Sequence, residues 1–437
     1  MYSYIIIRMA MCMNVSLMIE KTRQGELDKT LEKLYGENAV PRQRERYLGI
    51  MDGFLKNYGD LDCSIFSVPG RSEICGNHTD HNYGKVVAAA IDLDVVAVAS
   101  KMGGSKIKLY SVGYGEINAD AFNRDPDSVR NGSPESVITG MCSVMEDYGK
   151  KVGAFYAYAS SDVLRGSGLS SSAAFEVLVG TIENYFYNDG AVSAVEIAKA
   201  SQKAENIFFG KPCGLMDQTA CAVGGFITID FADPKDPVVR KFEKTLSDYG
   251  YSLCIVDTGG NHADLTPDYA SVPAEMKTVA RLMGKDVLRE VDEAEFVENI
   301  PVLREKAGDR AVLRAIHFFN ENKRVDSIVS AFDEGNIEKF FEVILASGSS
   351  SFKYLQNVYT TANVREQGLS LALALSEGEV SRVHGGGFAG TIQAFVKNEN
   401  VDVYKKKMDA VFGEDKCRVL SVRFYGACKV EFDKIIG

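Results

Sequence analysis

Arg165-Gly166-Ser167-Gly168-Leu169-Ser170-Ser171-Ser172-Ala173-Ala174 follows a run at 155–163 that predicts a strand, and it opens a run that predicts a helix over 172–187. In the second run Ala174, Val177, Leu178, Ile182, Tyr185 and Phe186 recur at helical spacing. Glycine lets backbone N–H groups come close to an anion. The unpaired amides and partial positive charge of a helix start then favour phosphate. Three successive serines supply helix caps and a hydroxyl within reach of a metal ion. The G-x-x-x-x-G-K-[ST] pattern is missing, so this is not a Walker A loop. Taken alone, the stretch reads either as an anion-binding loop or as a Ser-capped helix after a flexible turn.

Around it, strands are expected at 65–68, 86–98, 106–112 (the hairpin partner of 86–98), 226–230, 251–257, 391–396 and 418–424. Helices are expected at 27–35, 42–58, 191–209 and 403–412. Such a mixture predicts an α/β (α+β) chain of two domains. The charged, proline-bearing stretch 231–249 reads as the crossover, giving an extension at 1–20 and domains at 21–235 and 236–437. No fixed-period repeat occurs, which excludes a solenoid.

The 437 residues are 46% hydrophobic and 25% charged, ordinary globular values that exclude wholesale disorder. Forty-nine basic against 60 acidic residues give a net charge of -11, the wrong sign for a general nucleic-acid binder. No apolar run is long enough to span a bilayer. The nine cysteines are scattered without a C-x-x-C pair, which points to reduced thiols and a cytoplasmic location. The first 20 residues are apolar, but Arg8 interrupts them and no A-x-A-like site follows, so they read as an over-long start or a disordered tail rather than a leader.

Three further segments carry chemistry. Pro69-Gly70-Arg71-Ser72-Glu73-Ile74-Cys75-Gly76-Asn77-His78-Thr79-Asp80-His81-Asn82 is too polar for core and suits a hydroxyl-rich ligand, or else a polar turn. His78 and His81 have metal-ligand spacing but no third ligand nearby. Lys203-Ala204-Glu205-Asn206 precedes Pro212-Cys213-Gly214-Leu215-Met216-Asp217-Gln218, in which Asp217 stands among apolar neighbours. An acid there is paired, functional, or the N-cap of a helix. His384-Gly385-Gly386-Gly387-Phe388-Ala389-Gly390 leads into a strand and is either a tight turn or part of a site.

In this order the four segments resemble the GHMP small-molecule kinases, and within them the galactokinases, from about residue 55 to the end of the chain. The resemblance implies a two-domain GHMP kinase fold with the active site in the interdomain cleft. It implies transfer of phosphate from ATP to the anomeric C1 hydroxyl of galactose, with Mg²⁺. Asp217 matches the aspartate that takes the hydroxyl proton. Arg71 matches the arginine that stabilises the phosphoryl group and keeps that aspartate a carboxylate. Gly166, Ser167, Gly168, Leu169, Ser170, Ser171 and Ser172 match the ATP loop, while Ser172 and Glu205 match the metal ligands. His78, Thr79 and Asp80 match sugar contacts, as does Tyr269 in the pair Asp268-Tyr269. Asn77 stands where the family carries a glutamate facing the sugar. Asn keeps an acceptor, drops the charge and adds a donor. That leaves galactose with one weaker hydrogen bond, or suits a sugar acid that glutamate would repel. The alternatives are a kinase for galacturonate, N-acetylgalactosamine or arabinose, or a sugar- and ATP-binding regulator without turnover. Expected partners are a sugar and ATP, with neither nucleic acid nor membrane, and a monomer or weak homo-oligomer.

Overall fold

The computed structural model describes residues 13–163, 168–211, 213–260 and 265–437. A two-residue strand, β1 (Met13–Asn14), leads into helices α1 (Val15–Arg23), α2 (Asp28–Tyr35) and α3 (Val40–Tyr58). Asn14 caps α1, its side chain accepting from the Leu17 amide at 3.1 Å. Val15, Met18 and Ile19 are buried in a cluster shared with α3. The division expected after residue 20 therefore cuts through α1, because its apolar face belongs to the fold; residues 1–12 lie outside the described set.

Next come β2 (Asp62–Cys75), β3 (Lys85–Lys101), β4 (Lys106–Ser111), β5 (Gly115–Asp120), α4 (Pro134–Asp147), β6 (Phe155–Ser161), α5 (Ser171–Tyr187), α6 (Ala194–Ala204), α7 (Met216–Val223), β7 (Phe226–Asp230) and β8 (Val238–Phe242). These strands lie in one ten-stranded sheet built around the antiparallel pair β2 and β3. Alternation along the pair divides the side chains between two faces. Phe66, Val68, Ala97 and Ala99 pack in the large cluster with Val177, Leu178 and Ile182 of α5. Ile65, Val96 and Val98 pack with α1 to α3 on the other face. The hairpin expected between 86–98 and 106–112 does not form: β4 pairs with β5 and, in parallel, with β6, and it is β6 that lies against β3. Strand β5 alternates, with Gly115, Ile117 and Ala119 inward and Glu116, Asn118 and Asp120 exposed, but it escapes sequence reading because Ile117 is its one strongly strand-favouring residue and only Ala119 is buried.

The second half holds β9 (Tyr251–Asp257), α8 (Thr266–Leu282), α9 (Glu293–Ala307), α10 (Asp309–Glu334), α11 (Ile337–Ser350), α12 (Gly368–Leu375), β10 (Val380–Val383), β11 (Thr391–Lys397), α13 (Val401–Phe412) and β12 (Cys417–Leu420). Its four-stranded antiparallel sheet runs β10-β11-β9-β12. The chain then returns to the first sheet through β13 (Cys428–Val430), paired with β2, and β14 (Ile435–Ile436). Together with β8, this shows that a cut at 235/236 does not follow the sheets: the tail covers what would otherwise be an open edge of β2. Among the described residues no helix is long and apolar enough to cross a membrane, and Cys63 through Cys428 are free thiols.

Candidate active site

Strand β2 loses its register against β3 between Pro69 and Arg71 and again between Glu73 and Cys75. Such irregularities re-aim side chains. Here they turn Arg71 toward α7, where its Nε donates to Asp217 Oδ1 at 2.8 Å and its Nη2 lies 2.8 Å from the same oxygen. Arg71 Nη1 donates to the Gly168 carbonyl, and the Arg71 amide to the Leu169 carbonyl at 3.1 Å. The guanidinium is sunk, at 8% side-chain exposure, whereas the Asp217 side chain is 33% exposed. A buried cation thus presents a carboxylate to solvent.

Ser170 closes the arrangement, its hydroxyl donating to Asp217 Oδ2. It sits at φ 59, a left-handed conformation uncommon for a residue with a side chain and typical of strained functional positions. The capping expected of this serine does not occur, because its hydroxyl is committed to Asp217 rather than to the start of α5. Ser171 and the exposed Ser172 form the first turn of that helix. Gly166 and Ser167 lie outside the described residues.

After β2 the chain doubles back tightly. At Gly76, φ is +94 and a Cβ would lie 2.4 Å from the Lys85 carbonyl, so only glycine fits. Thr79 is fully buried, with its hydroxyl 2.8 Å from the Gly76 carbonyl and 2.7 Å from that of Lys85. Asn77 is equally buried: Nδ2 donates to Glu73 Oε1 at 2.8 Å and to the Gly385 carbonyl at 2.7 Å, and Oδ1 accepts from Asn357 at 2.8 Å. Both residues, expected as sugar contacts, spend these polar groups on hydrogen bonds inside the protein.

His78 and Asp80 remain half-buried. His78 Nε2 meets the Gly386 carbonyl at 2.9 Å, and burial lowers the ring to about 4, so it is neutral at physiological pH. With the proton on Nε2, Nδ1 is left as an acceptor. Asp80 Oδ1 accepts from the His81 amide at 2.9 Å, and burial, with Asp217 adding to it, raises this carboxyl. Tyr269 donates to the Gly387 carbonyl at 2.8 Å and meets Phe388 edge-on at 5.4 Å. The glycine run is required here: at Gly387, φ is +82 and a Cβ would fall 2.0 Å from the Asn357 carbonyl.

Glu205, just past the end of α6, is 2% exposed. Its Oε1 lies 3.2 Å from Lys211 Nζ, and its Oε2 accepts from Gln218 Nε2 at 3.0 Å. The same nitrogen is 3.2 Å from Glu176 Oε2, while Glu176 Oε1 is buried without a partner. Burial, then Glu205, pushes Glu176 up to about 8. Glu176 follows Ser172 by four residues, placing both on one face of α5. Gln218 thus bridges Glu205 and Glu176, one helical turn beyond Ser172.

Several members of this cluster escaped sequence reading: Glu73, Arg382, Asn357, Glu176 and Gln218. Glu73 did leave a signal, being a charge inside an otherwise buried strand, which is rarely left without a partner.

The GHMP kinases N terminal domain model matches residues 136–225, and the galactokinase galactose-binding signature matches residues 52–101. The second contains Arg71 and the loop after it; the first contains Ser170, Glu205 and Asp217. A galactokinase of Clostridium tetani is 31% identical over 363 residues, covering 81% of this chain and 89% of its own. One from Streptomyces coelicolor is 29% identical over 367 residues, covering 82% and 91%. The structure of Lactococcus lactis galactokinase complexed with galactose aligns with a TM-score of 0.72 at 26% identity, over 86% of this chain and 97% of that one. A mevalonate kinase aligns at 0.57 with 16% identity, a likeness of fold. With matches of this extent to both sequence and structure, the chain belongs to the galactokinase family of ATP-dependent GHMP kinases.

Proposed function

We propose that this protein transfers the γ-phosphoryl group of ATP to the C1 hydroxyl of galactose, giving galactose 1-phosphate and ADP in the cytoplasm. The observation that carries the reading is the meeting of Arg71, Asp217 and Ser170, three residues far apart in sequence, around one half-exposed carboxylate. Asp217 Oδ1 is held by the guanidinium and Oδ2 by the serine hydroxyl, so the carboxylate is fixed as a proton acceptor. It takes the proton of the C1 hydroxyl as that oxygen bonds to the γ-phosphorus and the bridge to the β-phosphate breaks, releasing ADP. Phosphoryl transfer asks chiefly for positioning and charge neutralisation, and Arg71 supplies the fixed positive charge.

The amides at the start of α5, with Gly166 to Ser172, cradle the nucleotide phosphates. Mg²⁺ suits the remaining donors. Among the described residues no cluster of three or more His, Cys, Asp or Glu could hold a metal, but this hard cation uses few protein oxygens and completes its shell with phosphates and water. Ser172 and Glu205 would supply those oxygens, and the unpartnered Glu176 Oε1, bridged to Glu205 by Gln218, adds an acid that would gain from a cation or proton nearby. Bound there, Mg²⁺ neutralises phosphate charge. His78 Nδ1, Asp80 and the Tyr269 side of the glycine turn receive the sugar, a carboxylate being able to accept from two adjacent hydroxyls. The two halves of the chain act as the walls of this cleft.

A coupled assay of ADP release across galactose, galacturonate, N-acetylgalactosamine and arabinose tests the reading. Galactose is expected to be turned over best, and ADP release with none of them would sink it. A local check is Gly214→Ala. Its Cβ would fall 2.3 Å from Asp80 Oδ2 and push the carboxylate out of place. The galactose KM should rise about tenfold or more, the worth of one hydrogen bond to a charged group, with the KM for ATP little changed.

A further inference from the structure

Between the two irregularities of β2 stands a second acid that the sequence motif does not single out. Glu73 lies two residues beyond Arg71, and side chains so spaced on a strand leave from the same face. It is 6% exposed. Both of its close contacts fall on one oxygen: Asn77 Nδ2 donates to Oε1 at 2.8 Å, and Arg382 Nη2 lies 3.4 Å from that atom. Among the described residues Oε2 has no hydrogen-bond partner. Arg382 is bound more firmly elsewhere, donating from Nη1 to the Ile74 carbonyl at 2.7 Å. Burial raises the Glu73 carboxyl, against the pull of Arg382, Asn77 and Arg71, and Asp80 is close enough to add to the rise. The acid therefore shares a strand face with the guanidinium that faces the phosphoryl group, and lies within electrostatic reach of the aspartate on the sugar loop.

Asn77 is the complement of this acid. A carboxylate at 77 would sit at hydrogen-bond distance from Glu73 Oε1, and two such carboxylates cannot both ionise. One acid and one amide is the pairing that keeps a single negative charge here. An uncommitted oxygen on a buried carboxylate gains from a hydroxyl donor and is penalised by a second anion.

We propose that Glu73 is a specificity-determining residue, whose Oε2 accepts a hydrogen bond from a hydroxyl of a neutral aldohexose bound between Arg71 and Asp80 and whose charge excludes sugar acids. This rests on the kinase reading above and narrows its substrate to uncharged sugars. It also withdraws the uronic-acid alternative raised by Asn77, since the charge missing at 77 is present at 73.

The test is Glu73→Gln, with steady-state kinetics on galactose, galacturonate and ATP, and a thermal melt to confirm folding. Wild type should turn over galactose and leave galacturonate untouched. The variant should raise the galactose KM about 10–100-fold, the range of one hydrogen bond to a charged group. Its kcat and its KM for ATP should stay within about threefold of wild type, a split that general loosening of the fold would not give, and galacturonate turnover should become detectable. A galactose KM within twofold of wild type overturns the proposal, as does a parallel rise in both KM values or equal use of galacturonate by wild type. Should Glu73→Gln not fold, because Arg382 is left without a counter-charge, Glu73→Gln/Arg382→Met removes both charges and the same outcomes apply. A wild-type protein that turned over no galactose would sink the kinase reading instead. Calorimetric titration of galactose would then judge Glu73 alone: weakened binding in the variant supports the proposal, and equal or absent binding in both proteins overturns it.

Discussion

Asp217→Asn is expected to lower kcat by at least the ~10²–10⁴-fold typical of removing a general base, with the protein folded. The substitution is nearly isosteric. Its amide oxygen can still accept from Arg71, whose Nε is 2.8 Å from Oδ1, so the geometry should survive while the proton acceptor is lost. Buried Arg71 is then left without its counter-charge, and a modest fall in stability should accompany the loss of rate. ADP release under saturating galactose and ATP measures the first effect. Turnover within a few-fold of wild type would return Asp217 to a structural role.

The second large effect concerns stability, at Asp94→Ala. This carboxylate is fully buried on β3. Oδ1 receives Arg46 at 2.6 Å, and Oδ2 receives Arg423 at 2.8 Å, Tyr35 at 2.5 Å and the hydroxyl of Ser67. One acid thus ties the helical layer, the central strands and the end of the chain. Removing it strands two buried guanidinium groups, for which the expected cost is about 3–5 kcal/mol, read from urea unfolding. A loss under about 1 kcal/mol would mean that water or rearrangement replaces the network.

The same site predicts a pH dependence. Burial alone would raise the Asp94 carboxyl, but Arg46 and Arg423, with the Ser67 and Tyr35 hydrogen bonds, outweigh it and hold the group below its usual range. A depressed folded value contributes stability that is fully present above the unfolded value of about 4 and is lost as pH falls through the folded one. Wild type should therefore lose stability below about pH 4, and Asp94→Ala should show a flatter acid limb.

Local sequence determined the pieces that depend on neighbours along the chain. The helical spacing of Val177, Leu178 and Ile182 marks α5, and the alternation in β3 marks a strand, because burial of one face imposes those periods. The motifs around Arg71, Ser170 and Asp217 were legible for the same reason: loops that hold anions and hydroxyls need glycines and short polar side chains in fixed order. Pairing was not legible. Strand β4 chose β5 and β6 over β3, and β13 returned to β2 from the far end of the chain, since strand partners are set by whole-sheet packing rather than by any local pattern. Tertiary structure also decided what each polar residue of the sugar loop does. Asn77 and Thr79 look like ligand contacts in sequence, yet the buried turn consumes their hydrogen-bonding groups. Glu73 looks like a misplaced charge, yet it keeps one oxygen uncommitted because its neighbours in space, unlike its neighbours in sequence, leave it so.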